Sequence, residues 1–341
     1  MNKKVIIIGG GIAGMTLAGS LTDSGLEVVL LEKEPQLGGH VKQWDRLFPS
    51  RRKGSEVLDF LDQGIPPEIR VITNCRIDRI VHVVDIFTVH FTDGGQESGS
   101  ALILATGYDL FDASLKEEYG YGIYNNVITS AELEARFKEE SPIITSDGKR
   151  PEKVAFIHCV GSRDEKVGHL YCSKICCVTG VKQAIEIKQA LPDCEVYSFY
   201  MDLRMFDRYF EEMYFEAQQK WGINFIRGRL SECAENPDHS IVIKTEDTLT
   251  GRPLKMTFDL IVLLVGMTPC KETGQIAEML GVSTGDDGFL QSRDEHLKNN
   301  VTQVRGLFIT GTVKGPGGIT DTIADARATA LQVNKYFRNV K

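Results

Sequence analysis

Residues 4–32 read KVIIIGGGIAGMTLAGSLTDSGLEVVLLE, and this stretch decides the fold class. Lys4 to Ile8 is a short continuous apolar run, the signature of a buried strand. Met15 to Asp23 has helical composition and is broken by Ser24-Gly25. Glu27 to Leu31 is a second strand, ending at Glu32. Between the first strand and the helix lie Gly9, Gly11 and Gly14, spaced G-x-G-x-x-G. Strand, glycine turn, helix and strand, with Glu32 18 residues past Gly14, make the βαβ unit of a dinucleotide-binding fold. Glycine lets the backbone approach a pyrophosphate, and the helix N-terminus attracts its charge. Gly9, Gly11, Ile12, Ala13 and Gly14 are thus the candidate phosphate loop. Glu32, followed by Lys33, is the candidate acceptor for ribose hydroxyls. The competing reading is a glycine turn in an α/β domain that binds no ligand.

The chain has 341 residues, 42% hydrophobic and 25% charged, with a net charge of −8. That length suits two globular domains. The acidic balance argues against nucleic acid as a partner. No apolar run reaches the roughly 18–20 residues that a membrane span needs. The N-terminus lacks the h-region of a signal peptide. The expected location is the cytoplasm, where clustered cysteines are more often redox-active or metal-binding than paired in disulfides.

Four of the 8 cysteines fall in CVGSRDEKVGHLYCSKICC, residues 159–177. Cys159, Cys172, Cys176 and Cys177 follow a strand-like run, Val154–Val160, and precede a helix-like run, Val178–Leu191. Residues 172 and 176 share one face if that segment is helical. Four thiolates are the ligand set of a [4Fe–4S] cluster. Arg163, Lys166 and Lys174 add positive charge nearby. Structural zinc, a redox dithiol and a vicinal disulfide remain open, although the spacing matches neither paired C-x2-4-C nor C-x-x-C. Cys75, Cys194, Cys233 and Cys270 read as buried free thiols.

Further segments resemble the glutathione-reductase-type flavoproteins. Glu32-Lys-Glu-Pro-Gln-Leu-Gly38-Gly39 is similar to the segment that runs along FAD. Ala101 to Gly107 resembles the A-T-G strand, and Gly306 to Thr312 the late strand that ends in G-D, with Thr312 in place of the usual Asp. The resemblance implies that FAD lies against Gly38, Gly39, Thr106, Gly107, Gly311 and Thr312. His40 is then a candidate near the isoalloxazine, or a surface histidine. Lys314 is a candidate cation near the flavin, or a solvated loop lysine. His82 and His90 read as strand-face residues.

The expected fold is α/β: two Rossmann-like domains of the glutathione/thioredoxin reductase type, three-layered, with a small antiparallel β-meander over residues 69–93. Residues 1–110 and 285–341 form the expected FAD domain. Residues 111–150 are a connecting segment with a short helix at 130–140, and residues 151–284 form the second domain. A helix is expected from Phe206 to Trp221, and one from Ile319 to Phe337.

Residues 146–167, SDGKRPEKVAFIHCVGSRDEKV, and 171–177, YCSKICC, are similar to the flavin-carrying A-type component of heterodisulfide reductases. Asn126–Ser130 and Asp321–Asp325 match the same family. The resemblance implies one FAD and one [4Fe–4S] cluster per chain, the cluster held by Cys159, Cys172, Cys176 and Cys177. It also implies a homodimer that works with B- and C-type subunits in electron transfer. No general acid or base is expected. The ferredoxin-like segments of methanogen members are missing, so flavin-based bifurcation is not carried over. The compact form of sulfur-oxidising bacteria is the best match. The A-type component of a quinone-interacting complex of sulfate reducers is the alternative within this family. A stand-alone NAD(P)H-dependent flavin disulfide reductase and an FAD-binding scaffold with structural zinc are the alternatives outside it.

Overall fold

A computed structural model describes residues 3–22 and 24–339. Asp23, the expected end of the first helix, and the terminal residues 1, 2, 340 and 341 lie outside the described residues. The chain divides into two units: Met1–Lys42 with Gly54–Asp109 and Thr268–Lys341, and Gln43–Lys53 with Leu110–Met267.

The first unit is built on a five-stranded parallel sheet centred on strand Lys4–Ile8, flanked by Glu27–Leu31 and Ala101–Leu104. Leu307–Ile309 and Arg70–Ile72 complete its edges. Alternation along the strands sorts side chains to two faces. Val5, Ile7, Val28, Leu30, Ala101 and Ile103 pack with Leu17, Ala326 and Val333 of helices Ile12–Thr22 and Ile319–Asn339. Ile6, Ile8, Val29, Leu31, Leu102 and Leu104 pack with Ile80, Phe87 and Val89 of a three-stranded antiparallel meander. The sheet is therefore the middle of three layers, as expected. His82 sits in the meander, stacked on Phe87 with ring centroids 4.1 Å apart.

The second unit repeats this plan. Its parallel sheet is centred on Lys153–Val160, flanked by Glu195–Tyr200 and Leu260–Val265, with Asn224–Arg227 and Val127–Thr129 at the edges. Val154, Phe156, Leu260 and Val262 pack under helices Cys176–Ala190 and Phe210–Gln219. Ala155, Ile157, Ile261 and Leu263 pack against Ile241, Ile243 and Phe258 of a second antiparallel sheet.

The crossing points between units differ from the expected ones. Residues 111–150 are part of the second unit, because Val127-Ile-Thr129 pairs with Ile261–Leu263 as a sheet edge. Three residues are too few to show a strand period in sequence. The return to the first unit comes at Thr268, and helix Lys271–Leu280 packs Ile276, Ala277 and Leu280 into the first unit's core. The helix expected from Phe206 begins at Phe210, after Tyr209 in the left-handed region at φ 70°.

Candidate cofactor sites

In the second unit, the central strand ends on an irregularity. Its register against Leu260–Val265 shifts between Ile157 and Val160, and Cys159 within that shift has φ 60°. A non-glycine residue in the left-handed region costs roughly 1–2 kcal/mol. A bulge of this kind re-aims one side chain, and such features concentrate at functional sites. Arg163 at φ 53° and Lys174 at φ 61° share the same conformation, so three such residues fall within the cysteine stretch.

The loop that follows doubles back. Arg163 N–H donates to Tyr171 O at 2.9 Å, and Asp164 and His169 exchange backbone bonds at 2.8 and 3.1 Å. Asp164 anchors it. Its side chain accepts from Lys166 N–H, and it ion-pairs with Lys116 at 2.8 Å and Arg229 at 2.7 Å. Lys116 and Asp164 are each 2% exposed. Burial raises the Asp164 carboxyl, but Lys116 and Arg229 outweigh it and hold the group below its usual range. The loop ends are joined by Ser162 and Ser173, whose hydroxyls lie 2.6 Å apart; Met267 N–H donates to Ser173 Oγ at 2.9 Å. Cys172 is thus carried back towards Cys159.

Cys159, Cys172, Cys176 and Cys177 line one partly open pocket with about 250 Å³ of space between atoms, together with Arg163, Lys174, Asp202 and Arg204. All four are free thiols. Cys172 Sγ accepts from Lys174 N–H at 3.3 Å. Cys172 and Cys176 do not share a helix face: Cys172 is in the loop, and the helix begins at Cys176. Lys174 in the left-handed region and buried Ser173 separate them. Cys176 and Cys177 instead occupy the first turn, where unpaired N–H groups and the dipole favour negative charge.

Burial pushes up the Cys159 thiol, although Arg163 pulls the other way. Burial and the neighbouring thiols push Cys176 well above its usual value, and burial takes Cys177 to about 11. A bound metal charge is what deprotonates thiols of this kind. Among the described residues, no three His, Cys, Asp or Glu groups converge closely enough to hold a single metal ion. The thiols surround a pocket rather than a point. Four free thiols, a helix N-terminus and three cations fit an anionic all-thiolate cluster.

The first unit holds the glycine site at the corresponding strand end. A Cβ on Gly9 would lie 2.3 Å from Ala105 O, and one on Gly14 1.9 Å from Gly9 O. Gly11 and Gly39 face each other: a Cβ on Gly39 would meet Gly11 Cα at 3.1 Å. Gly38 N–H donates to Gly10 O at 2.8 Å. The buried Glu32 carboxylate accepts from Gly10 N–H at 2.7 Å and Glu34 N–H at 2.8 Å, and keeps acceptor capacity for a ribose. Gly10 has no role in the sequence motif, yet its Cβ would lie 2.4 Å from Leu37 Cδ2.

The loops after strands Lys4–Ile8, Ala101–Leu104 and Leu307–Ile309 emerge from the carboxyl ends of three adjacent parallel strands, the usual ligand crevice of such sheets. Ile12, Ala13, Thr106, Gly107, Gly311 and Thr312 therefore come together. A Cβ on Gly311 would lie 2.8 Å from Ala13 Cβ, and one on Gly107 3.9 Å from Thr312 Oγ1. Thr106 Oγ1 is 2.6 Å from Thr273 Oγ1.

Three candidates have protein partners. Lys33 pairs with Glu272 at 3.0 Å. His40 stacks on Tyr108, with its Nε2 2.8 Å from Tyr108 O. Lys314 is not a solvated loop lysine: it pairs with Asp325 at 2.6 Å. Asp325 also accepts from Gly311 N–H at 2.7 Å, Thr310 Oγ1 at 3.0 Å and Asn300 Nδ2 at 2.8 Å. Sequence reasoning gives Asp325 no role. Its place in the Asp321–Asp325 segment, 14 residues past Gly311, is the signal that could have found it.

A family model of NAD(P)-binding Rossmann-like domains matches residues 7–64. Over 98% of its length the chain is 34% identical to the A-type iron-sulfur component of the CoB–CoM heterodisulfide reductase of Methanocaldococcus jannaschii. It is 32% identical over 97% of its length to the corresponding A-type component in Methanothermobacter thermautotrophicus. The chain is a homologue of the A-type component of heterodisulfide reductases. It spans 64% and 63% of the lengths of these two relatives. The first alignment runs over 421 positions, more than the 341 residues of this chain, so that relative carries inserted segments.

Thioredoxin reductases share the fold. That of T. acidophilum superposes with a TM-score of 0.69 at 17% identity, covering 99% of this chain and 100% of its own. That of Lactococcus lactis gives 0.68 at 20%, covering 99% of each. The names of the relatives and of these neighbours are those of oxidoreductases. No helix among the described residues is long and apolar enough to cross a membrane.

Proposed function

We propose that this chain is an electron-transfer subunit that binds one FAD in its first unit and one [4Fe–4S] cluster in its second. It would pass electrons between the flavin and the iron–sulfur or thiol–disulfide centres of partner subunits. The observation that carries the reading is the convergence of Cys159, Cys172, Cys176 and Cys177, from a strand end, a loop and a helix start, on one pocket.

Bound FAD supplies two-electron chemistry that can be divided into single-electron steps, and a cluster accepts or donates one electron at a time. The protein's part is holding and tuning. Gly9, Gly11 and Gly14 clear space for a pyrophosphate, Glu32 orients a ribose, and Gly38–Gly39, Thr106–Gly107 and Gly311–Thr312 border the crevice. Asp325 holds Gly311 and Lys314 in place, and Lys314 keeps a cation beside that loop. The four cysteines supply thiolates, and Arg163, Lys174 and Arg204 offset their charge. No acid or base is assigned, because electron transfer alone requires none.

The relatives are subunits of CoB–CoM heterodisulfide reductases by name. The reading places this chain in a related cytoplasmic complex of sulfur metabolism, as a homodimer beside B- and C-type subunits. The deciding experiment is anaerobic purification followed by iron, acid-labile sulfide and flavin assays. About four irons and four sulfides per chain are expected. Zinc in place of iron, or fewer than about two irons without labile sulfide, would defeat the cluster assignment.

A further inference from the structure

We propose that Arg163 sets the reduction potential of the four-thiol centre, by fixing a guanidinium charge and an uncommitted N–H beside the sulfur of Cys159. The inference rests on the reading of the pocket as a cluster site.

Arg163 differs from the other two cations of the pocket. Lys174 and Arg204 are exposed, so solvent and salt screen their charge. The Arg163 side chain is only 21% exposed. Its backbone is held in the left-handed region at φ 53° by the N–H bond to Tyr171 O. Its guanidinium is gripped from one side only, Nη2 donating to Asp202 Oδ2 at 2.7 Å. Asp202 itself comes from the segment that contributes a backbone carbonyl to Cys177 Sγ, at 3.6 Å. Nη1 is buried and has no hydrogen-bond acceptor among the described residues. A buried charged donor left unsatisfied costs more than the ~1–3 kcal/mol of a neutral one. A site that keeps one has a use for it.

The acceptor is at hand in the same pocket. Arg163 and Cys159 interact through charge and a side-chain hydrogen bond. Cluster reduction adds one electron, supplied by the external reductant, with no bond formed or broken. The added negative charge falls on iron and sulfur. A fixed positive charge and an N–H donor beside one of those sulfurs stabilise the reduced state, and hydrogen bonds to sulfur are a recognised determinant of cluster potential. Arg163 therefore raises the potential of the centre.

The test is a mediated redox titration, followed by EPR, of the anaerobically purified whole protein and its Arg163→Met and Arg163→Lys variants. Iron, labile sulfide and flavin are assayed on each sample. Arg163→Met should keep its iron and require a lower potential. At the wild-type midpoint its oxidised-to-reduced ratio should rise about tenfold, a shift of ~59 mV for one electron. Arg163→Lys keeps the charge without the planar fork and should shift by a smaller amount in the same direction. A fully loaded Arg163→Met that titrates within twofold of wild type overturns the proposal. If Arg163→Met loses its iron, a loaded Arg163→Lys decides: an unchanged midpoint overturns the proposal, and a lowered one supports it. Wild-type protein without iron would instead remove the cluster reading, a result distinct from a loaded but unshifted variant.

Discussion

The two units place different chemistry at the same point of the same architecture. In each, a central parallel strand ends, the chain turns, and a helix begins. After Ile8 the turn takes three glycines before Ile12; after Val160 it takes fifteen residues before Cys176. The short turn works by removing side chains, so that backbone N–H groups and a helix N-terminus face a ligand. The long turn works by adding them: two thiols before the helix and two on its first turn. Both use left-handed backbone to aim the chain, at Gly9 with φ 108° and at Cys159 with φ 60°. Glycine adopts that conformation at little cost and cysteine does not. The difference teaches that the strand-end, helix-start position attracts anions in general. Its loop decides whether the anion is a phosphate or a sulfur cluster.

The largest expected effects separate the two sites. Cys176→Ser removes one of four ligands at the helix start. Iron per chain should fall more than about tenfold while flavin content stays at the wild-type level. Gly14→Ala puts a Cβ 1.9 Å from Gly9 O, a clash the backbone must move to relieve. Flavin content should fall more than about tenfold while iron is retained. Iron and flavin assays on the two proteins check both outcomes. Loss of both cofactors from either variant would mean that the two units do not load independently.

The unequal legibility of the two sites follows from their construction. The glycine loop was readable because a phosphate cradle is local: Gly9, Gly11, Gly14 and Glu32 sit within one βαβ unit. The cysteines were readable as a set. Their arrangement was not, because it depends on residues distant in sequence. Asp202 and Arg204 reach the pocket from the segment after strand Glu195–Tyr200, and Asp164 finds its partners at Lys116 and Arg229. The periodicity that suggests a helical Cys172 is overridden by the left-handed Lys174. Lys314 reads as a loop lysine until helix Ile319–Asn339 brings Asp325 to it. The three-layer plan was legible because strand alternation is local, whereas the strand Val127–Thr129 is defined by its neighbour alone.

A smaller effect tests what the long turn requires that the short one does not. Asp164→Asn removes the charge that two cations share, leaving Lys116 with Glu118 at 2.7 Å and Arg229 without its carboxylate. Breaking a buried pair costs about 3 kcal/mol, towards the lower end of the usual range because Lys116 keeps one partner. A urea titration should show that loss. No substitution within the three-glycine turn can produce an ion-pair effect of this kind, because that turn has no charged side chain.

The smallest effect lies further along the two helices. Ile12–Thr22 carries no charged residue. Cys176–Ala190 buries Lys182 and Glu186, 2% and 6% exposed. Lys182 Nζ donates to both oxygens of Glu134 at 2.6 and 2.7 Å and to Arg46 O at 2.8 Å, and lies 3.3 Å from Glu186. One lysine thus serves two carboxylates, with Asp45 adding negative charge. Burial pushes the Glu186 carboxyl up to about 7, against the pull of Lys182 and with Glu134 and Asp45 reinforcing it. The folded protein then holds this proton between its ordinary value of 4.5 and about 7, while the unfolded chain has released it. With more protons bound in the folded state, stability falls as pH rises through that window and is level above it. Glu186→Gln abolishes the titration. It should leave stability nearly unchanged at pH 5 and raise it by about 2 kcal/mol at pH 8, less than the full linkage value because a buried amide also lacks partners. Urea midpoints for wild type and variant at the two pH values measure this. A stabilisation of equal size at both would show that Glu186 is ionised in the folded state throughout, and that Lys182 carries both carboxylates as charges.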